Sequence, residues 1–550
     1  MSATIGINDL KFVIFGAGHD YTLADSGDGD VQVFSHPFVP LNSVNYAGQW
    51  YFLVPDENGD PMDCVKDDIA HCEFTPALGS AFSTEGEVTV SCHYHREYIY
   101  DEETLVVDKT VSQKITVVNH GSVVDSTNNL DVYSDGYGFI RPQNVNTVEV
   151  KDYTITQKNA VTKVSSFPWR ATGLGSGHFY HFFTSTNLTD ISEWKYADVS
   201  KCTHFSLLFA GDRSLSDISA VAEWDTSNVT ELYDLVEYSN ITSLKALAKW
   251  NTSKVTSLEM AFAVYMGTSL EGLEHWDTSN VVNMKQFVQG AEYLTDVSAL
   301  SAWDMSKVTT LYYAFNNTRI SNTNAFALWH VPALKIIEGI FKLCDRLIDL
   351  SGLSNWIAEI TEIKSAFEGC DAMSDISGVH GLDVHLVTNF SSVFEGCWKI
   401  LNLDGLDEWD VSNGTNFYRM FRGCSWLSDI SAIAGWDISH ASNLADMFYQ
   451  CNSILTVVAL ATWVFNTTAI DSMFRSNYLC YSTLLGIWLL ETTYYYFDYA
   501  GNQYATTGVY DGTHPLQYPT YDANTASLWG VSGSNLNAFD NKWVNVPAWN

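Results

Sequence analysis

The C-terminal two-thirds of the chain repeats one arrangement of apolar and polar positions. Apolar residues three apart lead to a Trp, a polar turn follows, and a second apolar set closes the unit: Leu294, Val297, Leu300, Trp303, then Val308, Leu311 and Phe315. The same template fits Leu427, Ile430, Ile433, Trp436, then Ala441, Leu444 and Phe448. Trp recurs at 194, 224, 250, 276, 303, 329, 356, 409, 436 and 463, mostly 26 or 27 residues apart, and Leu382 stands halfway across the one double gap. A unit this short cannot bury its apolar side alone, whereas stacked copies share a core. The period therefore predicts a leucine-rich-repeat-like solenoid over residues 191–490, of about eleven coils. At the spacing of neighbouring strands, about 4.8 Å, such a stack is roughly 50 Å long.

Residues 1–165 carry a different pattern. Runs such as Val88-Thr89-Val90-Ser91-Cys92-His93-Tyr94 and Lys114-Ile115-Thr116-Val117-Val118 alternate or are β-branched, and Gly, Asp and Asn punctuate them. This predicts antiparallel β-structure. The stretch from Glu87 to Asn119 suits part of an immunoglobulin-like sandwich, without the Cys…Trp…Cys framework of one, and one or two small β-domains fit equally. Residues 166–190, with the Gly-rich stretch 171–177 and the aromatic cluster 178–183, are expected to be linker and N-terminal cap. The Tyr- and Trp-rich residues 491–550 are expected to cap the other end. The expected class is mainly β with short helical turns.

Two repeated details sharpen the picture. Trp is followed by short polar turns, as in Asp225-Thr226-Ser227-Asn228, Asp277-Thr278-Ser279-Asn280 and Asp437-Ile438-Ser439-His440. Such side chains satisfy turn N–H groups locally. A calcium-binding row of stacked Asp is the alternative, and Asn251, His330 and Ile357 interrupt it. Cys344, Cys370, Cys397, Cys424 and Cys451 each follow a Phe by three residues, and as small hydrophobes they fit a core column. Disulfides between coils are compatible with the period, and Cys64, Cys72, Cys92, Cys202 and Cys480 give no pairing scheme.

Trp-Asp-Thr-Ser-Asn-Val at 224–229 and 276–281, with Met420-Phe421 and Met447-Phe448 and then Gly423-Cys424, resembles the BspA-like family of leucine-rich-repeat surface proteins over about residues 190–490. The resemblance implies an extracellular, adhesion-type scaffold, found in bacterial surface proteins and in proteins of gut bacteriophages. It supplies no catalytic residues. His330-Val331-Pro332 and the coil around Leu382 depart from the motif.

The 28 Lys and Arg against 64 Asp and Glu give a net charge of −36, which repels nucleic acid and anionic lipid. Eighteen Trp and 29 Tyr exceed the needs of a minimal core and suit a binding protein. The start of the chain has neither a basic region nor a secretory apolar stretch, and no apolar run is long enough to span a membrane.

Candidate chemistry is sparse. His93, His95 and Glu97 alternate along one strand and so share a face, an arrangement able to offer three metal ligands; an exposed polar face explains them as well. Phe12 to Gly18 resembles the opening of a dinucleotide fingerprint, but Tyr21 stands where the third Gly belongs. Asp56, Asn58 and Asp60, and Asp25, Asp28 and Asp30, suit hairpin turns better than calcium loops. Glycosylation sequons at Asn187, Asn228, Asn240, Asn251, Asn316 and Asn413 follow from the repeat turn. No enzyme, cofactor or metal is expected.

These features lead to an expectation of a bacteriophage virion protein, a fibre or receptor-binding component. Its N-terminal region would dock on other virion proteins and its solenoid on a host glycan or protein. A bacterial surface or secreted adhesin is the alternative, and a glycan depolymerase a distant third. A homo-oligomer is compatible, although no coiled-coil heptads support a trimer.

Overall fold

The computed structural model describes residues 202–454 throughout. Before them it describes 11–14, 38–44, 50–55, 61–63, 72–100, 103–126, 130–140, 161–165, 187–197 and 199, and after them 458–460, 463, 473, 487–490, 493–497 and 503–506. The described residues are mainly β, in small sheets and bridges, and their helical elements are short 3-10 turns such as Ser298–Leu300 and Ser431–Ile433. The chain forms two compact units, Met1–Val255 and Thr256–Asn550.

In the first unit, β1 (Lys11–Ile14), β3 (Trp50–Pro55) and β4 (Pro61–Asp63) form an antiparallel sheet, and a second sheet has the order β2-β7-β6-β5. Its centre is the long antiparallel pair β6 (Gly86–Tyr100) and β7 (Glu103–Val118), in register from Gly86↔Val117 to Tyr100↔Glu103. β5 (Cys72–Thr75) lies antiparallel on β6, and β2 (Phe38–Pro40) parallel on β7. The pleat turns Val90, Ile115 and Val117 inward with Val39 and Phe82, while Lys114 stays outside and pairs with Glu87 at 2.6 Å.

A third sheet follows, in the order β11-β10-β9-β8. Its strands are β8 (Val123–Ser126), β9 (Leu130–Tyr133), β10 (Tyr137–Ile140) and β11 (Lys163–Val164). Asp135-Gly136 makes the β9–β10 turn: Gly136 takes a φ of 89°, and the Asp135 carboxylate accepts the Tyr137 N–H at 3.0 Å. β11 joins this sheet to the repeats. Thr162 O accepts the amides of Thr189 and Asp190 at 2.9 and 3.1 Å, and Lys163 bridges Asp190 in parallel, one period on. The ladder thus starts ahead of the 166–190 segment expected to cap it. The first repeats bear Trp194, Trp224 and Trp250 in a stack, with centroids 6.1 and 6.3 Å apart.

The second unit continues the same motif. Parallel bridges step one period at a time, Ser257↔Asn283↔Thr310↔Ile336↔Glu362 on one row and Asn389↔Asn416↔Asn443 further along it. Along each row alternate amides point in two directions. Ile337, Gly339, Phe341 and Leu343 donate to Glu362, Lys364, Ala366 and Glu368 of the next coil, at 2.6 to 3.0 Å. Ile340, Lys342 and Cys344 instead donate three residues back along their own coil, to Ile337, Gly339 and Phe341. Both patterns need a left-handed residue every fourth position, and Gly339 and Leu343 have φ of 61° and 63°.

The core follows from this register. Trp303, Trp329, Trp356, Trp409, Trp436 and Trp463 are buried, and each indole N–H donates to a backbone carbonyl about one coil earlier, as Trp329 does to Leu300 O at 2.9 Å. Leu382 is buried as well, in a two-residue strand that pairs Leu382 with Ala358. Phe341, Phe367, Phe394, Phe421 and Phe448 stack at centroid distances of 5.3 to 6.1 Å.

Candidate binding surface

Each coil bends at Asx-type turns whose cap is the first polar residue. After Trp, Asp277, Asp304, Asp410 and Asp437 accept the N–H of Ser279, Ser306, Ser412 and Ser439 at 2.9 to 3.0 Å. A second corner does the same with Asp296, Asp349, Asp375 and Asp429, and a third with Asn283, Asn389, Asn416 and Asn443. Hydrogen bonding from the Ser partner holds the Asp277, Asp304, Asp410 and Asp437 carboxyls below the usual carboxylate range. The sequence pattern located the first of these corners; the other two use mixed Asp, Asn, Ser and Thr, which blurs their period.

The cysteine column is buried throughout. The thiols of Cys344, Cys370, Cys397, Cys424 and Cys451 donate to the carbonyls of Phe315, Phe341, Phe367, Phe394 and Phe421 at 3.0 to 3.2 Å. Burial pushes the Cys344 thiol up to about 11 and the Cys370, Cys424 and Cys451 thiols upward too.

Three acids in the first unit are also buried. Burial lifts Glu193 to about 7, although Lys163 stands 3.3 Å away and the Tyr137 hydroxyl donates to it at 3.0 Å. Burial lifts Asp212 to about 6 against hydrogen bonds from the Ser214 and Leu215 amides. Asp234 rises to about 8, through burial and then the neighbouring Glu237. Nothing in the sequence pattern marked these three among so many acids.

The metal candidates sit on β6: His93 faces Thr110 and is half-buried, and His95 faces Asp108 and is exposed. Glu97 follows opposite Val106, its side chain outside the described residues. Among the described residues no group of three or more His, Cys, Asp or Glu is placed to hold a metal ion. Asp25, Asp28, Asp30, Asp56, Asn58, Asp60, Gly16 to Tyr21, Cys64, Cys480 and the segments 171–183 and 507–550 lie outside the described residues. Sequon amides serve the stack itself: Asn316, buried, donates to Lys342 O at 2.7 Å, and Asn413 to His385 O at 2.8 Å.

Against these repeated columns, the second unit exposes large side chains that do not repeat: Tyr293, Ile348, Trp398, Leu401 and Trp426. Charged pairs cross from coil to coil nearby, Lys342–Glu368 and Arg422–Glu395 each at 2.8 Å. Trp398 and Trp426 fall outside the 26- or 27-residue Trp series, and that offset is the sequence signal that separates them from the core Trp.

A family model described as Mycoplasma protein of unknown function, DUF285, matches the chain three times in tandem, over residues 176–267, 258–377 and 361–484. Together the matches run from 176 to 484, more than half of the 550 residues. No curated protein matches the chain.

Proposed function

The chain belongs to the DUF285 repeat family, and from that premise we propose that it is a non-catalytic adhesion scaffold built as a solenoid of about eleven coils. It serves as a fibre or receptor-binding component of a bacteriophage virion, its β-rich N-terminal region docking on other virion proteins and its repeats engaging a glycan or protein of the host surface. The observation that carries the binding role is the contrast between repeated buried columns and non-repeating exposed side chains such as Tyr293, Trp398 and Trp426. Core and turn positions are fixed by stacking, which leaves the exposed positions free to differ and to recognise. The exposed Asp of the turns are engaged in capping, which favours a scaffold over a hydrolase.

A cellular adhesin is the second reading, favoured by a family description that names Mycoplasma proteins. Immunogold electron microscopy with an antibody to this chain, on phage particles and on uninfected cells, separates the two. Gold on particles is the expected result. Gold confined to cell surfaces selects the adhesin, and gold on neither sinks both.

A further inference from the structure

We propose that the indoles of Trp398 and Trp426 form a platform that binds a neutral hexopyranose glycan. The proposal names the ligand class for the adhesion reading and rests on that reading for its biological setting.

Among the described residues of the second unit, every Trp of the repeat series is at most 5% exposed, whereas Trp398 is 38% and Trp426 49% exposed. Trp398 directly follows Cys397, and Trp426 follows Cys424 by two. The coil register then places Trp398 between Asp371 and Ser425, and Trp426 between Lys399 and Ser453, on adjoining columns. The coils are locked there: the Trp426 amide donates to Trp398 O at 3.0 Å, and the Ser428 amide to Leu401 O at 3.0 Å.

The two rings meet at 90° with centroids 5.8 Å apart, one serving as floor and the other as wall. Lys399 Nζ lies over the Trp398 ring, 5.1 Å from its centre, and Asp371 precedes Trp398 by one period in the coil register. Ser425 Oγ donates to Trp398 O at 3.4 Å and Ser453 Oγ to Ser425 O at 2.8 Å. A pyranose has one face of C–H groups and a rim of hydroxyls. The flat indole face suits the first, and the carboxylate, ammonium and hydroxyl groups around it suit the second.

Two considerations select the occupant. The net charge of −36 disfavours anionic polymers, which leaves neutral sugars. A protein partner would find its apolar contact broken up, because polar side chains adjoin each indole in the register, while protein interfaces concentrate apolar area at their centre.

Native gel electrophoresis of the full chain through gels cast with mannan, dextran, galactan or, as the anionic comparison, hyaluronan tests the platform. At least one neutral polymer is expected to retard the protein. Trp398→Ala and Trp426→Ala are each expected to weaken retardation roughly tenfold, and Trp426→Phe to restore most of it. Both indoles are substantially exposed, so the unfolding midpoints of the variants are expected to match the parent, and that measurement separates loss of binding from loss of fold. Retardation by hyaluronan alone, by no polymer, or equally for the parent and the double alanine variant overturns the proposal. So does capture of the chain by host surface protein through these indoles with no glycan retardation. Adhesion of labelled chain to intact bacteria is scored separately. Adhesion that survives the double variant removes this platform and spares the adhesion reading; absent adhesion with glycan retardation intact does the reverse.

Discussion

Cys344 and its four successors are sealed among the coils, each thiol donating a hydrogen bond to a Phe carbonyl of the preceding coil. All five are fully buried, and a thiol raised to about 11, as that of Cys344 is, carries almost no thiolate near neutrality. Iodoacetamide at pH 8 is therefore expected to leave these five unlabelled in the native chain and to label them fully in guanidinium, as read by peptide mass mapping. Native labelling of Cys370 or Cys397 would show the column opening. The sequence revealed the column through its period, but not the Sγ–H bonds, which depend on an in-register neighbour. Trp329 makes the same point with more energy at stake: it is buried, stacks on Trp356 at 5.9 Å and donates to Leu300 O. Trp329→Ala is expected to cost about 3–5 kcal/mol. Trp329→Phe keeps an aromatic ring and removes one of the two hydrogen bonds that Leu300 O accepts, the Trp303 N–H remaining at 3.1 Å, and is expected to cost about 0.5–1.5 kcal/mol, both by denaturant unfolding.

At the scale of one coil, the run of turns depends on left-handed residues spaced four apart. The first site of each pair is Met260, Gln286, Tyr313, Gly339, Ser365, Ser392, Arg419 and Asp446 down the second unit, with φ between 52° and 61°. So mixed a column gives no glycine signal, which is why the turns were not legible while the Trp period was. The second site includes Gly369 at φ +73°, where an added Cβ would stand 2.8 Å from Leu343 Cδ2. Gly369→Ala is expected to lower stability by about 1–2 kcal/mol through left-handed strain alone, and Leu343, an exposed end, yields to the Cβ. A variant as stable as the parent in urea would show that the turn relaxes to another conformation.

At the scale of the molecule, the three buried acids of the first unit and the capping Asp of the second respond to pH in opposite senses. Glu193, Asp212 and Asp234 of the first unit titrate at about 7, 6 and 8 when folded, above their unfolded values near 4. The stability they contribute is fully present below pH 4 and is lost as pH rises through 6 to 8. The capping Asp of the second unit are held low, so their contribution is present above pH 4 and lost as pH falls below it. Calorimetry from pH 5 to 9 is expected to show a falling midpoint for the first unit, and Asp234→Asn to flatten that fall. A midpoint independent of pH would place these carboxyls in contact with water. Here the sequence was least informative: the repeat and its apolar faces were visible in Trp, Leu and Phe, but burial of one acid among 64 depends on which side of a turn it lands.

The step-by-step ladder of the second unit, in which Asn283 bridges Thr310 and Thr310 bridges Ile336, addresses its bonds between coils to the adjoining coil. A gene encoding such a ladder tolerates duplication or excision in whole periods, since the new neighbours present the same donors and acceptors. Length thereby becomes a heritable variable, open to change in whole periods, while an insertion of two or three codons within a coil would dislocate the register on both sides. Relatives of this chain are expected to differ in size by multiples of 26 or 27 residues, and the tract from 256 to 454 to behave as a counter that lineages reset.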